Sequence, residues 1–167
     1  MTNELSGPSF TQSVSEADID WIICLELNSD AAFRTWFARQ VFQFDAHHLK
    51  VWRSIYDPLL GESDLLWYVS APDGNRWMAL LENKINAVAQ PAQCERYNLR
   101  GEQYRDQGHC TAFRTVLISP KTYRSTDSEA YEVRISYEEI RDWLASVGGE
   151  RAEYLASILT LLCQSQS

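Results

Sequence analysis

Two spacings of apolar residues alternate along this chain. Ile19, Ile22, Ile23 and Leu27 recur at offsets of 3, 4 and 8, which lays one stripe along a helix. Ser15 precedes the stripe as an N-cap and Asp18 follows three positions later in capping-box register, so a helix is expected from there to about Asn28. Ser29 or Asp30 caps a second helix, in which Phe33, Trp36, Phe37, Gln40, Val41 and Phe44 keep helical spacing. The period then changes. Leu65–Val69 is short, bulky and apolar, Pro72-Asp73-Gly74-Asn75 supplies turn residues, and Trp77–Leu81 returns, so residues 64–85 read as a β-hairpin. Residues 91–107 resume a helical pattern with Pro91 in the first turn. Phe113–Ile118 reads as a buried strand stopped by Pro120, and Tyr131–Ile135 alternates as a further strand. Ser136 caps a helix over about Tyr137–Ser146, Gly148-Gly149 ends it, and a last amphipathic helix reaches Cys163. The order α-α-β-β-α-β-β-α-α predicts an α/β fold, a mixed sheet with helices on both faces.

The polar residues 1–13 read as a loose leader, and residues 14–167 as a single domain, the number that 167 residues suit. Apolar residues at 45% and charged residues at 23% exclude a disordered tail or a fibre. No apolar run is long enough for a membrane helix and the first residues lack a secretory pattern, so a cytoplasmic location is expected, with no membrane partner. Cys24, Cys94, Cys110 and Cys163 form no CxxC pair, and His47, His48 and His109 lack metal-ligand spacing, which argues against zinc. Gly61-Glu62-Ser63-Asp64-Leu65 lacks the closing Gly of a nucleophile elbow, and no phosphate-binding Gly loop occurs. Net charge is −8, but residues 84–124 carry seven basic against three acidic side chains. Such a local stretch can meet a polyanion, weakly and with strong salt dependence.

Three features carry candidate chemistry. In Leu81-Glu82-Asn83-Lys84-Ile85, the strand period puts Glu82 and Lys84 on one face, while Asp64 begins the partner strand. Two carboxylates and an ammonium at adjoining strand ends suit a hard cation and an activated water; a solvated carboxylate–lysine ladder is the plain alternative. Glu26 falls between Ile22 and Ile23 on the first helix, where a carboxylate needs a partner, a cation or a backbone hydrogen bond. On the helix after the lysine strand, Gln93, Arg96, Tyr97, Arg100 and Tyr104 form one face, with Gln90 just ahead of it. Amide, guanidinium and phenol on one stripe suit phosphate contacts; the alternative is the outward polar side of an amphipathic helix.

Taken together, Gly61-Glu62-Ser63-Asp64, Glu82-Asn83-Lys84 and Gln93-Cys94-Glu95-Arg96-Tyr97 resemble the PD-(D/E)XK nuclease superfamily. The similarity is to the subgroup with a QxxxY motif after the lysine strand, as in lambda-exonuclease-like and RecB-like nucleases. It implies a three-layer α/β/α, restriction-endonuclease-like core with a central mixed β-sheet, its α-β-β-β-α-β order covering about residues 14–120. It implies a metal-dependent nuclease acting on DNA rather than RNA, with Mg²⁺ as cofactor and Mn²⁺ able to substitute. Asp64 and Glu82 would hold the metal with the Asn83 carbonyl as a further ligand, Lys84 would orient or activate water, and Glu26 would match the acid of the first helix. Gln93 and Tyr97 would steady the lysine or the substrate phosphate, alongside Gln90, Arg96 and Arg100 as substrate contacts. Ser63 stands where the family's name has Pro. Relatives also imply a homodimer, or a further DNA-reading domain or subunit. The competing expectation, favoured by the net charge and the six Trp, is a catalytically inactive module of the same fold that binds a protein or nucleic-acid partner.

Overall fold

A computed structural model describes residues 13–88, 90–125 and 130–164; residues 1–12 of the expected leader lie outside the described residues. The first helix, α1 (Glu16–Ser29), starts on the expected capping box: the Ser15 side chain accepts from the Asp18 N–H, and Asp18 accepts from the Ser15 N–H. Asp30 then serves two helices. Its N–H donates to the Glu26 carbonyl at the end of α1, and its carboxylate accepts from the Ala32 and Phe33 N–H groups at the start of α2 (Ala31–Phe42). α2 stops short of Phe44, with Gln43 in the left-handed region as its cap. Phe44 keeps helical spacing because it stacks on Phe42 and meets Trp77 edge-on, a packing constraint rather than a helical one.

The sheet has five strands in the order β1-β2-β3-β4-β5. β1 (His47–Asp57), β2 (Gly61–Ser70) and β3 (Arg76–Asn83) form an antiparallel meander, and β4 (Ala112–Ser119) and β5 (Val133–Ser136) add in parallel. The expected mixed sheet with helices on both faces is therefore present. β1 is the addition to the sequence reading. It is an edge strand, interrupted by a register shift between His48 and Lys50 and by Ser54 at positive φ, and only Val51 is fully buried. With β1 in place, the order from α1 to β4 contains the α-β-β-β-α-β core that the resemblance implies.

Because β2 and β3 are covered on both sides, their apolar residues run continuously instead of alternating. Leu65, Trp67, Val69, Ala79 and Leu81 face α1, α2, α4 (Tyr137–Val147) and α5 (Glu150–Gln164). Leu66, Met78, Leu80 and Leu117 face α3 (Gln93–Asp106) and the tyrosines Tyr123 and Tyr131. α3 begins two residues after Pro91, behind a left-handed Ala92. It lies so close to β4 that a Cβ on Gly101 would sit 2.3 Å from the Phe113 ring. We expect Gly101→Ala to destabilise the fold: overpacking costs about 1–3 kcal/mol and outweighs the roughly 1 kcal/mol gained in helix propensity. A thermal melt should show a midpoint a few degrees lower; an unchanged or higher midpoint contradicts the close approach.

Candidate active site

β2 runs past the end of β3 at the point where α3 begins, so three elements deliver side chains to one place. Asp64 from β2, Glu82 and Lys84 from the end of β3, Gln93, Arg96 and Tyr97 from α3, and Gln90 ahead of it line a cleft of about 440 Å³. A roomier concavity of about 560 Å³ beside Ser15, Ile85 and Leu161 contains one carboxylate, Glu16, and no cation. The chemistry-bearing residues gather in the first of these.

Glu82 is the hub. Its Oε1 takes the Lys84 ammonium at 2.6 Å and the Gln93 side-chain amide at 2.5 Å, and its Oε2 accepts a short hydrogen bond from the Tyr97 hydroxyl. Tyr97 in turn accepts the Asp64 N–H at 3.2 Å. Asp64 Oδ2 accepts the Asn83 N–H at 2.8 Å, which holds the second carboxylate beside the first. Burial, then the neighbouring Glu82 charge, pushes the Asp64 carboxyl up to about 8. Burial alone would lower the Lys84 ammonium, but its contact with Glu82 outweighs this and leaves it above the usual lysine range. The lysine is thus held charged, and the aspartate gives up its proton well above the usual carboxylate range.

The first helix contributes its acids from a different position than the sequence suggested. Glu26, although only 2% exposed, turns to Arg151 at the start of α5 at 2.5 Å, in a separate cavity with Asp30, Leu144 and Gly149. It does not join the cleft. Asp20 does lie within electrostatic reach of Glu82 and Asp64: burial, opposed by the Asn83 hydrogen bond and Arg53 and reinforced by the Glu82 and Glu16 charges, lifts its carboxyl to about 6. Asp20 Oδ1 and the Glu16 carbonyl accept from the Asn83 amide, and Tyr137 donates to the other end of that amide. Glu16 Oε1 accepts the Ile85 N–H. On the wheel that puts Glu26 between Ile22 and Ile23, Asp20 falls beyond Leu27 at the edge of the apolar stripe, so its burial is not marked by the same offsets.

Three members of the stripe on α3, Gln93, Tyr97 and Arg100, face inward, while Arg96 and Tyr104 are half-buried. Gln93 and Tyr97 are buried and both donate to Glu82, the carboxylate that also holds the Lys84 ammonium. Arg100, expected to touch substrate, is 1% exposed. It lies over the Tyr97 ring and donates to the Leu60 and Glu62 carbonyls, joining α3 to the β1–β2 turn. The two carbonyls replace water at its terminal nitrogens, while its Nε is buried without a hydrogen-bond partner among the described residues. Of the expected substrate contacts, Arg96 and Gln90 remain at the cleft mouth, where Arg96 donates to the Gln90 side chain at 3.0 Å and the Pro91 carbonyl at 2.6 Å. Among the described residues no three His, Cys, Asp or Glu side chains group closely enough to hold a metal by themselves. Any cation here rests on two carboxylates, backbone oxygen, water and substrate, a donor set suited to Mg²⁺.

The raised Asp64 carboxyl makes a prediction for stability. Between 3.8 and about 8 the folded chain keeps a proton that the unfolded chain releases, so stability of the metal-free protein falls as pH rises through that window. Asp64→Asn removes this dependence. Melts in chelator should show the variant matching the parent near pH 4 and exceeding it near pH 8, by a few kcal/mol. Parallel pH profiles for the two proteins would contradict the repulsion.

No family model matches the chain, and no curated protein matches it. Among solved structures, the chain is similar to the EndoMS–dsDNA2 complex, at 14% identity and a TM-score of 0.36 over 69% of this chain. The alignment takes in 40% of that chain, so this one spans well under half of its length.

Proposed function

We propose that this chain is a Mg²⁺-dependent nuclease of the PD-(D/E)XK type that hydrolyses phosphodiester bonds in DNA. The observation that carries the reading is the convergence of Asp64, Glu82 and Lys84 in one cleft, with Gln93 and Tyr97 fixing Glu82 from behind. A surface charge ladder would not be backed by buried hydrogen-bond donors. The raised Asp64 carboxyl supports a cation as well, since a divalent ion held by both groups would offset the burial and the repulsion that push it up. Asp64 and Glu82 would hold Mg²⁺ or Mn²⁺, with the Asn83 carbonyl as the further ligand and Asp20 as the acid of the first helix. A metal bound there would polarise the scissile phosphate.

The chain's own residues define the rest. Lys84 is charged and so donates: its ammonium can hold a water or a phosphate oxygen, and it stabilises the negative charge that grows on the phosphate. It does not accept a proton in that state. Water adds to phosphorus and releases a proton to bulk solvent, the bond from phosphorus to the leaving sugar oxygen breaks, and that oxygen takes up a proton from bulk solvent. Gln93 and Tyr97 keep Glu82 in a single orientation throughout, which limits reorganisation.

Glu82→Gln and Lys84→Met should each lower Mg²⁺-dependent DNA cleavage by about a hundredfold or more. An unchanged rate in the purified Glu82→Gln protein overturns the proposal, and DNA binding without cleavage by the parent protein returns the chain to the non-catalytic reading. Tyr97→Phe keeps the ring but frees one oxygen of Glu82. Its cleavage rate should drop roughly ten- to a hundredfold, the scale of one hydrogen bond to a charged group. The Mg²⁺ concentration for half-maximal rate should rise, because the hydroxyl steadies a metal-holding carboxylate. An unmoved Mg²⁺ midpoint would reassign the tyrosine to the substrate.

A further inference from the structure

The rim of the cleft is apolar on the side of the β1–β2 turn. Tyr56 and Leu59 line the cleft and yet are 70% and 92% exposed. Pro58 lies between them in the same lining. Large side chains left open at a single place are informative where something is meant to cover them. This turn is also held in shape. Asp57 Oδ1 accepts the Leu59 and Leu60 N–H groups, both at 2.8 Å. Arg100 clamps the Leu60 and Glu62 carbonyls from the buried side. The exposed pair is therefore displayed by a fixed frame.

Charge narrows what covers it. The cations lining the cleft are Lys84 and Arg96, and both are engaged, Lys84 by Glu82 and Arg96 by Gln90 and the Pro91 carbonyl. The same lining holds Glu62, Asp64 and Glu82. A grip on the phosphate backbone alone is weak under those conditions, so binding needs a contribution that does not depend on charge. Bases supply it by stacking on an aromatic or aliphatic face, and they present that face only when they are out of the duplex stack.

We propose that Tyr56 and Leu59 form a base-stacking wedge that selects an unstacked nucleotide, in single-stranded DNA or at a frayed duplex end, next to the phosphate in the cleft. The inference rests on the nuclease reading for the identity of the substrate, and binding tests it separately from cleavage. The probe is a mixed-sequence single-stranded DNA of about twelve nucleotides, in Ca²⁺, compared with the same backbone made abasic. The parent protein should bind the base-bearing strand tenfold or more tightly. Tyr56→Ala with Leu59→Ser should remove that preference, and Tyr56→Phe, which keeps the stacking face, should retain it. In Mg²⁺ the double variant should raise KM for the single strand with little change in kcat. The parent should cut the single strand faster than a covalently closed, relaxed duplex circle. Equal affinity for the two strands, no binding of the probe, or a double variant that binds as the parent does overturns the wedge. A base preference that depends on Tyr56 and Leu59, with no cleavage in Mg²⁺, leaves the wedge standing and removes the nuclease reading.

Discussion

Two carboxyl groups held side by side, Glu82 buried and Asp64 half-buried, set the terms for the rest of this site. Asp64 and Glu82 come from neighbouring strands, and neither can move away without breaking the sheet that carries it. The protein meets the cost in different ways for each. Glu82 is surrounded by donors, an ammonium, an amide and a phenol. Asp64 has the Asn83 N–H on one oxygen and retains a proton instead. A buried arrangement of this kind is expensive as pure structure, since an apolar pair at the same positions would pack without repulsion. It makes physical sense where a cation or a substrate completes it.

Three consecutive residues translate that constraint to the whole fold. The period of β3 sends Glu82 and Lys84 to the α3 face and Asn83 to the α1 face. On its own face Asn83 is fully satisfied, by the Glu16 carbonyl, Asp20 and Tyr137, and so fastens the first turns of α1 and α4 to the end of β3. Its main chain meanwhile holds Asp64 on the other side. A small displacement of either helix layer would therefore be felt at the carboxylates through one residue. That gives the site the rigid support that preorganised electrostatics requires.

Much of this was legible in the sequence, for identifiable reasons. Asp64, Glu82 and Lys84 stand at the ends of strands whose bulky runs leave little doubt of their type, and Ser15, Asp30 and Ser136 mark helix starts by capping chemistry. β1 was not legible. An edge strand with one fully buried residue, a register shift and a positive-φ serine has no clean period to read. Missing it also hid the role of Arg100, because the carbonyls that receive its guanidinium, those of Leu60 and Glu62, belong to the turn and strand that β1 leads into. Glu26 shows a different limit. A helical wheel identifies buried carboxylates but not their height on the helix, and six residues separate Glu26 from Asp20, about 9 Å along the axis. That distance decides between a partner on α5 and the neighbourhood of the cleft.

The basic stretch between residues 84 and 124 has a meaning different from the one its charge suggests. Lys84 is matched to Glu82, Arg100 is consumed by backbone carbonyls, Arg114 pairs with Glu132, and Arg124 donates to the Lys121 and Tyr123 carbonyls. The positive charge of this segment goes largely into holding the architecture, not into an open surface for a polyanion. An acidic chain that spends its cations internally cannot attract DNA over a long range, whatever its fold. On the proposed nuclease reading, recognition would fall to short-range terms: a divalent ion that would reverse the local charge at Asp64 and Glu82, and apolar contact at the rim where Tyr56 and Leu59 are exposed. Both act only on a strand already in the cleft. Selectivity under these conditions is exercised at close contact, by what fits beside the carboxylates, and not by the speed of encounter.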